Sequence, residues 1–366
     1  MRRSLPLGTL ALVLCTAGST VVGGSLQRTD SMDMERAAHT MTTLADGTVL
    51  VVGGFGAPNE QEAQVLSFDP ISMGFSSVRA GLSWRHSHSA TLLLDGTVLV
   101  AGGYGPGNRY LRSAEIFDPR TGTSRSVGDL AEARAGHVAV PLGDGRVLFA
   151  GGVGDDWTFL ASAEIYDPAS ATFTSTGSMN AARESHVATL LSDGRVLVSG
   201  GHGGTRRSLR VLDSAEIYDP ASAQFTNTGQ MTIRRHKHDA IALENGHVLV
   251  LGGADERDSR GVYRSTELFD PGSGRFVDHV PMRLPRYKLA GSTVRLEDGR
   301  FLISGGAERP EVYEPSVAQF RVIATTESMP GLFSATAQLS DGRVLISGGY
   351  GAPGGATSNA WVFEPN

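Results

Sequence analysis

Short apolar runs recur along the whole chain, and each is closed by a pair of glycines. Asp95-Gly96-Thr97-Val98-Leu99-Val100-Ala101-Gly102-Gly103 is typical. The doublets fall at Gly53-Gly54, Gly102-Gly103, Gly151-Gly152, Gly200-Gly201, Gly252-Gly253, Gly305-Gly306 and Gly348-Gly349. Their spacing is 49 residues three times, then 52, 53 and 43. An Asp-Gly or Asn-Gly dipeptide precedes every run, from Asp46-Gly47 to Asp341-Gly342. Such dipeptides accept the positive φ of a tight hairpin turn. A strand-like stretch such as His186-Val187-Ala188-Thr189-Leu190-Leu191 lies before each turn. The pattern therefore predicts two hairpin strands per unit.

A third strand ends each time in an aromatic, an acid and a proline, as in Tyr166-Asp167-Pro168 and Phe363-Glu364-Pro365. Proline cannot donate to a ladder and stops the strand. Five residues beyond most of these prolines stands another aromatic: Phe75, Phe173, Phe225, Phe276 or Phe320, with Ser124 in the second unit. That marks a fourth strand. Four short antiparallel strands repeated seven times predict an all-β, seven-bladed propeller. The last unit lacks its fourth strand. Leu26 to Met32 aligns without a gap to Phe173 to Met179, so an N-terminal strand is expected to close the ring.

The pattern resembles the kelch-type propellers of bacteria that are related to the central propeller of galactose oxidase. The resemblance runs from about Ser25 to Asn366 and implies fold more than function. The copper–radical site of galactose oxidase depends on a tyrosine cross-linked to a cysteine. Cys15 is the only cysteine, and it lies in the leader, so this resemblance implies no copper-radical activity.

The leader reading covers 1–17. Arg2 and Arg3 precede an apolar stretch from Leu5 to Leu14, too short to span a bilayer, and Cys15-Thr16-Ala17 offers a cleavage site. Export to the periplasm, cell surface or medium is expected, with 18–366 as one propeller. Leu12-Val13-Leu14-Cys15 resembles a lipobox but departs from it at Leu14, so lipidation of Cys15 has weak support. The formal net charge is −6. That provides no overall basic field for nucleic acid.

Repeated polar residues read as scaffold. Arg-x-x-His recurs at Arg36/His39, Arg85/His88, Arg134/His137, Arg183/His186 and Arg235/His238; Lys288/Gly291 and Gly331/Ser334 take these places in the last two units. Glu115, Glu164, Glu216, Glu267 and Glu311 recur before the third-strand aromatic and suit the arginines as partners. One residue per blade spreads around a ring rather than converging, so no metal site and no cofactor is expected. The glycine doublets precede strands rather than helices and do not read as phosphate loops.

Function is expected where the units differ. Trp157 and Phe159 in the third unit, Arg206, Arg207 and Arg210 in the fourth, and Arg234, His236 and Lys237 entering the fifth form the candidate ligand-binding set. Such aromatic and basic groups suit a glycan or protein ligand, an anionic one included. The expected function is a monomeric binding or scaffold module with no catalytic residue assigned. The alternative is a carbohydrate-active enzyme using carboxylates such as Asp155 and Asp156.

Overall fold

The computed structural model describes residues 24–56, 65–329, 331–351 and 355–366. The leader and Cys15 lie outside these residues. Seven four-stranded antiparallel sheets make up the body. Blade four shows the plan, with strands Val187–Leu190, Val196–Ser199, Ala215–Asp219 and Gln224–Asn227 paired in that order. The second strand is buried along its whole length in every blade, as in Val196–Ser199, because both faces meet neighbouring blades. Apolar residues therefore run continuously there rather than alternating. The first strands of adjacent blades stand side by side all the way round, which closes the ring.

The hairpin turns are built as the dipeptides dictate. Gly47 has φ 86°, and the Asp46 carboxylate accepts the Thr48 N–H at 3.0 Å. The aromatic pairs are cross-strand neighbours, Tyr166 opposite Phe173 and Tyr218 opposite Phe225. In the last blade Ser25–Arg28 pairs antiparallel with Ala360–Glu364 and sets Leu26 opposite Phe363, in the place of that aromatic pair. The N-terminal strand thus closes the ring. Among the described residues no helix is long and apolar enough to cross a membrane.

The repeated polar residues form a second, ionic framework. Arg183 is fully buried; it donates to the carbonyls of Gly200 (2.8 Å) and Ser214 (3.1 Å) and to Glu216 at 2.7 Å. The same bonds recur for Arg85 with Glu115, Arg134 with Glu164 and Arg235 with Glu267. Burial lowers the Arg183 pKa, while Glu216 opposes that shift. In blade six the arginine role falls to Arg286, paired with Glu311, and not to Lys288. Two extra residues between this arginine and its strand shift the motif, so Leu289, not Gly291, packs where the histidine of other blades packs, over Gly306. Blade one has Leu66 in the glutamate position, and Arg36 turns to Asp33 instead. The histidines tie blade to blade: His88 reaches Thr40 at 3.1 Å and His137 reaches Ser89 at 3.0 Å. Burial depresses His39, His137 and His186 to about 3.

Candidate functional site

The rim of the channel is assembled from two residues of each blade. One follows the glycine doublet and the other follows the buried arginine, or Gly331 in the last blade. Backbone bridges join them as His86 with Tyr104, Ala135 with Val153, Glu184 with His202, His236 with Ala254, Leu332 with Tyr350 and Ala37 with Phe55. The next residue in the chain adopts a left-handed conformation in every blade, with φ between 51° and 60° at Ala38, Ser87, Gly136, Ser185, Lys237, Lys288 and Phe333. This conformation turns each N–H to the carbonyl of the same residue one blade back. Ser87 donates to Ala38, Gly136 to Ser87, Lys237 to Ser185, Lys288 to Lys237, Phe333 to Lys288 and Ala38 to Phe333. A belt of backbone hydrogen bonds thus circles the channel at six junctions. It brings side chains some 50 residues apart in sequence into contact.

The rim divides into two arcs. On one, ring contacts run from Phe333 to Tyr350, Phe55, His86, Tyr104 and Tyr110, with centroids 4.9 to 6.0 Å apart. Burial lowers His86 to about 4, so it behaves as one more neutral ring. Lys288 sits where this arc meets the other. Its Nζ lies 4.9 to 5.3 Å from the ring centroids of Tyr287, Phe333 and Tyr350, and it donates to the Tyr350 hydroxyl.

The other arc is ionic. His202 Nδ1 lies 3.2 Å from Glu184 Oε2, and the His202 and His236 ring centroids are 3.9 Å apart. His236 Nε2 is 3.1 Å from the Asp255 carbonyl. Burial, with His202 and Lys237 beside it, lowers His236 to about 3. Lys237 donates to Asp258 at 3.0 Å. Burial acts to raise the Asp258 carboxyl, but Lys237 outweighs it and the pKa lies below the ordinary value. A cleft of about 310 Å³ opens between the arcs. Its lining combines the apolar and aromatic Tyr104, Val153, Trp157, Phe159 and Leu209 with the polar Glu184, His202, His236, Lys237, Glu256 and Asp258.

Four of the eight residues expected from the sequence meet in this cleft: Trp157, Phe159, His236 and Lys237. Arg206 lines the adjoining hollow with Tyr110, Asp156 and Trp157. Arg207 is exposed in the turn of the hairpin formed by His202–Thr205 and Ser208–Val211, Arg210 is exposed on its second strand opposite Gly203, and neither lines the cleft or the hollow. Arg234 is tied to Glu256 at 3.0 Å. The basic set is therefore neutralised in part: Arg234 and Lys237 each have an acid, and His236 is uncharged near neutral pH. Among the described residues no ion pair reaches Arg206, Arg207 or Arg210. Asp155 and Asp156 are exposed and line no shared carboxylate site, though Asp156 borders the hollow.

The sequence reading missed Tyr104, Glu184, His202, Lys288 and Tyr350. Each is ordinary in its own unit, and only the ring places them together. The available signal was positional: the residue after each doublet and the residue after each arginine vary from blade to blade.

The chain matches the kelch motif over residues 85–131. No curated protein matches its sequence. Its fold is similar to that of a fungal alcohol oxidase of the AA5 family solved in complex with copper, with a TM-score of 0.72 and 15% identity over 94% of this chain and 76% of that one. At that identity the likeness carries the fold. The chain is thus a kelch-type propeller similar in architecture to this oxidase. The expectation of a binding or scaffold module in place of an enzyme is corrected by this finding, because the same ring is the body of an alcohol oxidase in that neighbour. Among the described residues no three His, Cys, Asp or Glu side chains converge to hold a metal ion, and the His202 and His236 rings are each held by an oxygen acceptor. This set does not fit such a centre.

Proposed function

We propose that the protein is an enzyme acting on a small hydroxylated molecule in the rim cleft, with His202 as the group that takes the hydroxyl proton. The observation that carries this reading is the Glu184–His202 contact of 3.2 Å on the cleft wall. A carboxylate accepts and does not donate, so the shared hydrogen sits on His202 Nδ1. That fixes the tautomer and leaves Nε2 as the acceptor. Glu184 also holds Ser185 at 2.7 Å, which orients it toward the ring. Lys237 and Tyr104, which also line the cleft, carry further donor groups. The neighbour's activity toward alcohols supports the choice of a hydroxyl as the reacting group.

The test is a panel of small primary and secondary alcohols and hydroxy acids, supplied with dioxygen and divalent metal ions and followed by NMR for any conversion. Turnover of at least one member is expected, with a loss of about a hundredfold or more in His202→Ala at unchanged melting temperature. No conversion across the panel, or full activity in His202→Ala, would overturn the reading.

A further inference from the structure

Blades two and three carry the same loop after their glycine doublets. In blade two the loop turns at Gly107 and Asn108, with φ 72° and 57°. Both residue types accept the left-handed region readily. Blade three makes the same turn with Asp156 and Trp157, at φ 54° and 60°. A bulky aromatic there is an outlier, because its Cβ crowds the backbone. The local fold is satisfied by asparagine one blade away, so it does not call for tryptophan.

The strained position places the indole between two cavities. Trp157 lines the rim cleft and also the hollow beside Tyr110 and Arg206. It remains 39% exposed, whereas the other two tryptophans, Trp84 and Trp361, are buried. Its ring lies 6.0 Å from Phe159. Tyr104 and Tyr110 pack 4.9 Å apart beside it. The indole is thus fixed on one side by aromatic neighbours and open on another. Of the charged groups in the cleft, Lys237 is paired with Asp258, Glu256 with Arg234 and Glu184 with the His202 ring. An uncharged ring and hydroxyl leave these pairs intact.

We propose that Trp157 is a stacking platform that selects an alcohol carrying an aromatic ring, with the ring on Trp157 and the hydroxyl toward His202. This rests on the reading of the rim cleft as the reactive site, but stacking is measurable without turnover. Strain at one position is tolerated because it presents the indole to the ligand.

The experiment compares equilibrium binding of benzyl alcohol and cyclohexylmethanol by titration calorimetry. Benzyl alcohol is expected to bind about fivefold more tightly to the wild type, the margin an aromatic contact supplies. Trp157→Asn should erase that preference and raise the melting temperature by about 1–2 °C, since it installs the residue blade two already uses. Trp157→Phe should keep the preference, and so should His202→Ala. Equal affinities in the wild type, no binding of benzyl alcohol, or a preference that survives in Trp157→Asn would overturn the proposal. Absence of turnover with the preference present would defeat only the catalytic reading. Turnover without the preference would defeat only this one.

Discussion

Arg235 and His236 are adjacent in the chain, and both are buried, yet they belong to different parts of the molecule. Arg235 makes bonds that four other blades repeat, to a glycine carbonyl and a strand glutamate. His236 touches groups found in no other blade: the His202 ring, the Asp255 carbonyl and Asp258. The same division separates Arg183 from Glu184. One residue step along the strand crosses from the framework to the rim. The difference shows how a repeat protein acquires a site without disturbing its fold: framework positions are locked by partners in the same blade, and the next position is free to vary.

The largest effect expected on the framework side comes from the closing strand. Removing residues 24–31 takes Ser25–Arg28 from Ala360–Glu364 and exposes both the strand edge and Phe363. Exposed edges pair with other chains. Aggregation or loss of the cooperative transition is expected in a thermal melt with light scattering, and an unchanged melting temperature would refute the closure.

Acid comes next, and it sharpens the comparison because it acts mainly on the framework. His39, His137 and His186 are held near 3 by burial, below the ordinary 6.5 of the unfolded chain. Below that value the unfolded state binds protons that the folded state refuses. The stability is complete above about pH 6.5 and drains away as pH falls toward 3. Each such histidine costs about 2 kcal/mol by pH 5. Asp239 runs the other way. Burial raises its carboxyl to about 6, so the folded state holds a proton between about 4 and 6 that the unfolded chain has lost. One carboxyl does not offset several histidines. Denaturant titrations from pH 7 to pH 5 should show steadily falling stability, and a flat profile would contradict the assignment of these rings as buried and neutral.

Much of this framework was legible in the sequence. The glycine doublets gave the blade count, and the match of Leu26 to Phe173 placed the closing strand in register with Phe363. The repeated arginines and glutamates could be paired because both recur once per blade. Blade six misled the count: its spacing was anchored on the strand, and the two residues inserted before the strand pushed the arginine role back from Lys288 to Arg286. The site was legible in part. Trp157, His236 and Lys237 stood out as unlike their counterparts. Tyr104, Glu184 and His202 did not, because each is unremarkable in its own unit and gains meaning only from the neighbouring blade. Arg234 and Lys237 carry acid partners that a sequence does not show, whereas no ion pair among the described residues reaches Arg206, Arg207 or Arg210. Glu256 and Asp258 were visible, but their contacts with Arg234 and Lys237 depend on two loops folding against each other.

The most direct measurement sets two carboxylates against each other. Glu184 faces His202 on the rim, and Glu216 faces Arg183 one residue away in the framework. Glu184→Gln and Glu216→Gln should be compared in parallel, for stability by denaturation and for turnover of whichever alcohol the panel reveals. Glu184→Gln is expected to keep its stability and lose at least about tenfold in kcat, because the imidazole is no longer held in one tautomer. Glu216→Gln should lose about 3 kcal/mol, because it leaves a buried guanidinium without its counter-charge, and the folded fraction should keep its kcat. If Glu184→Gln destabilises the protein while its kcat is unchanged, the division between framework and rim is wrong.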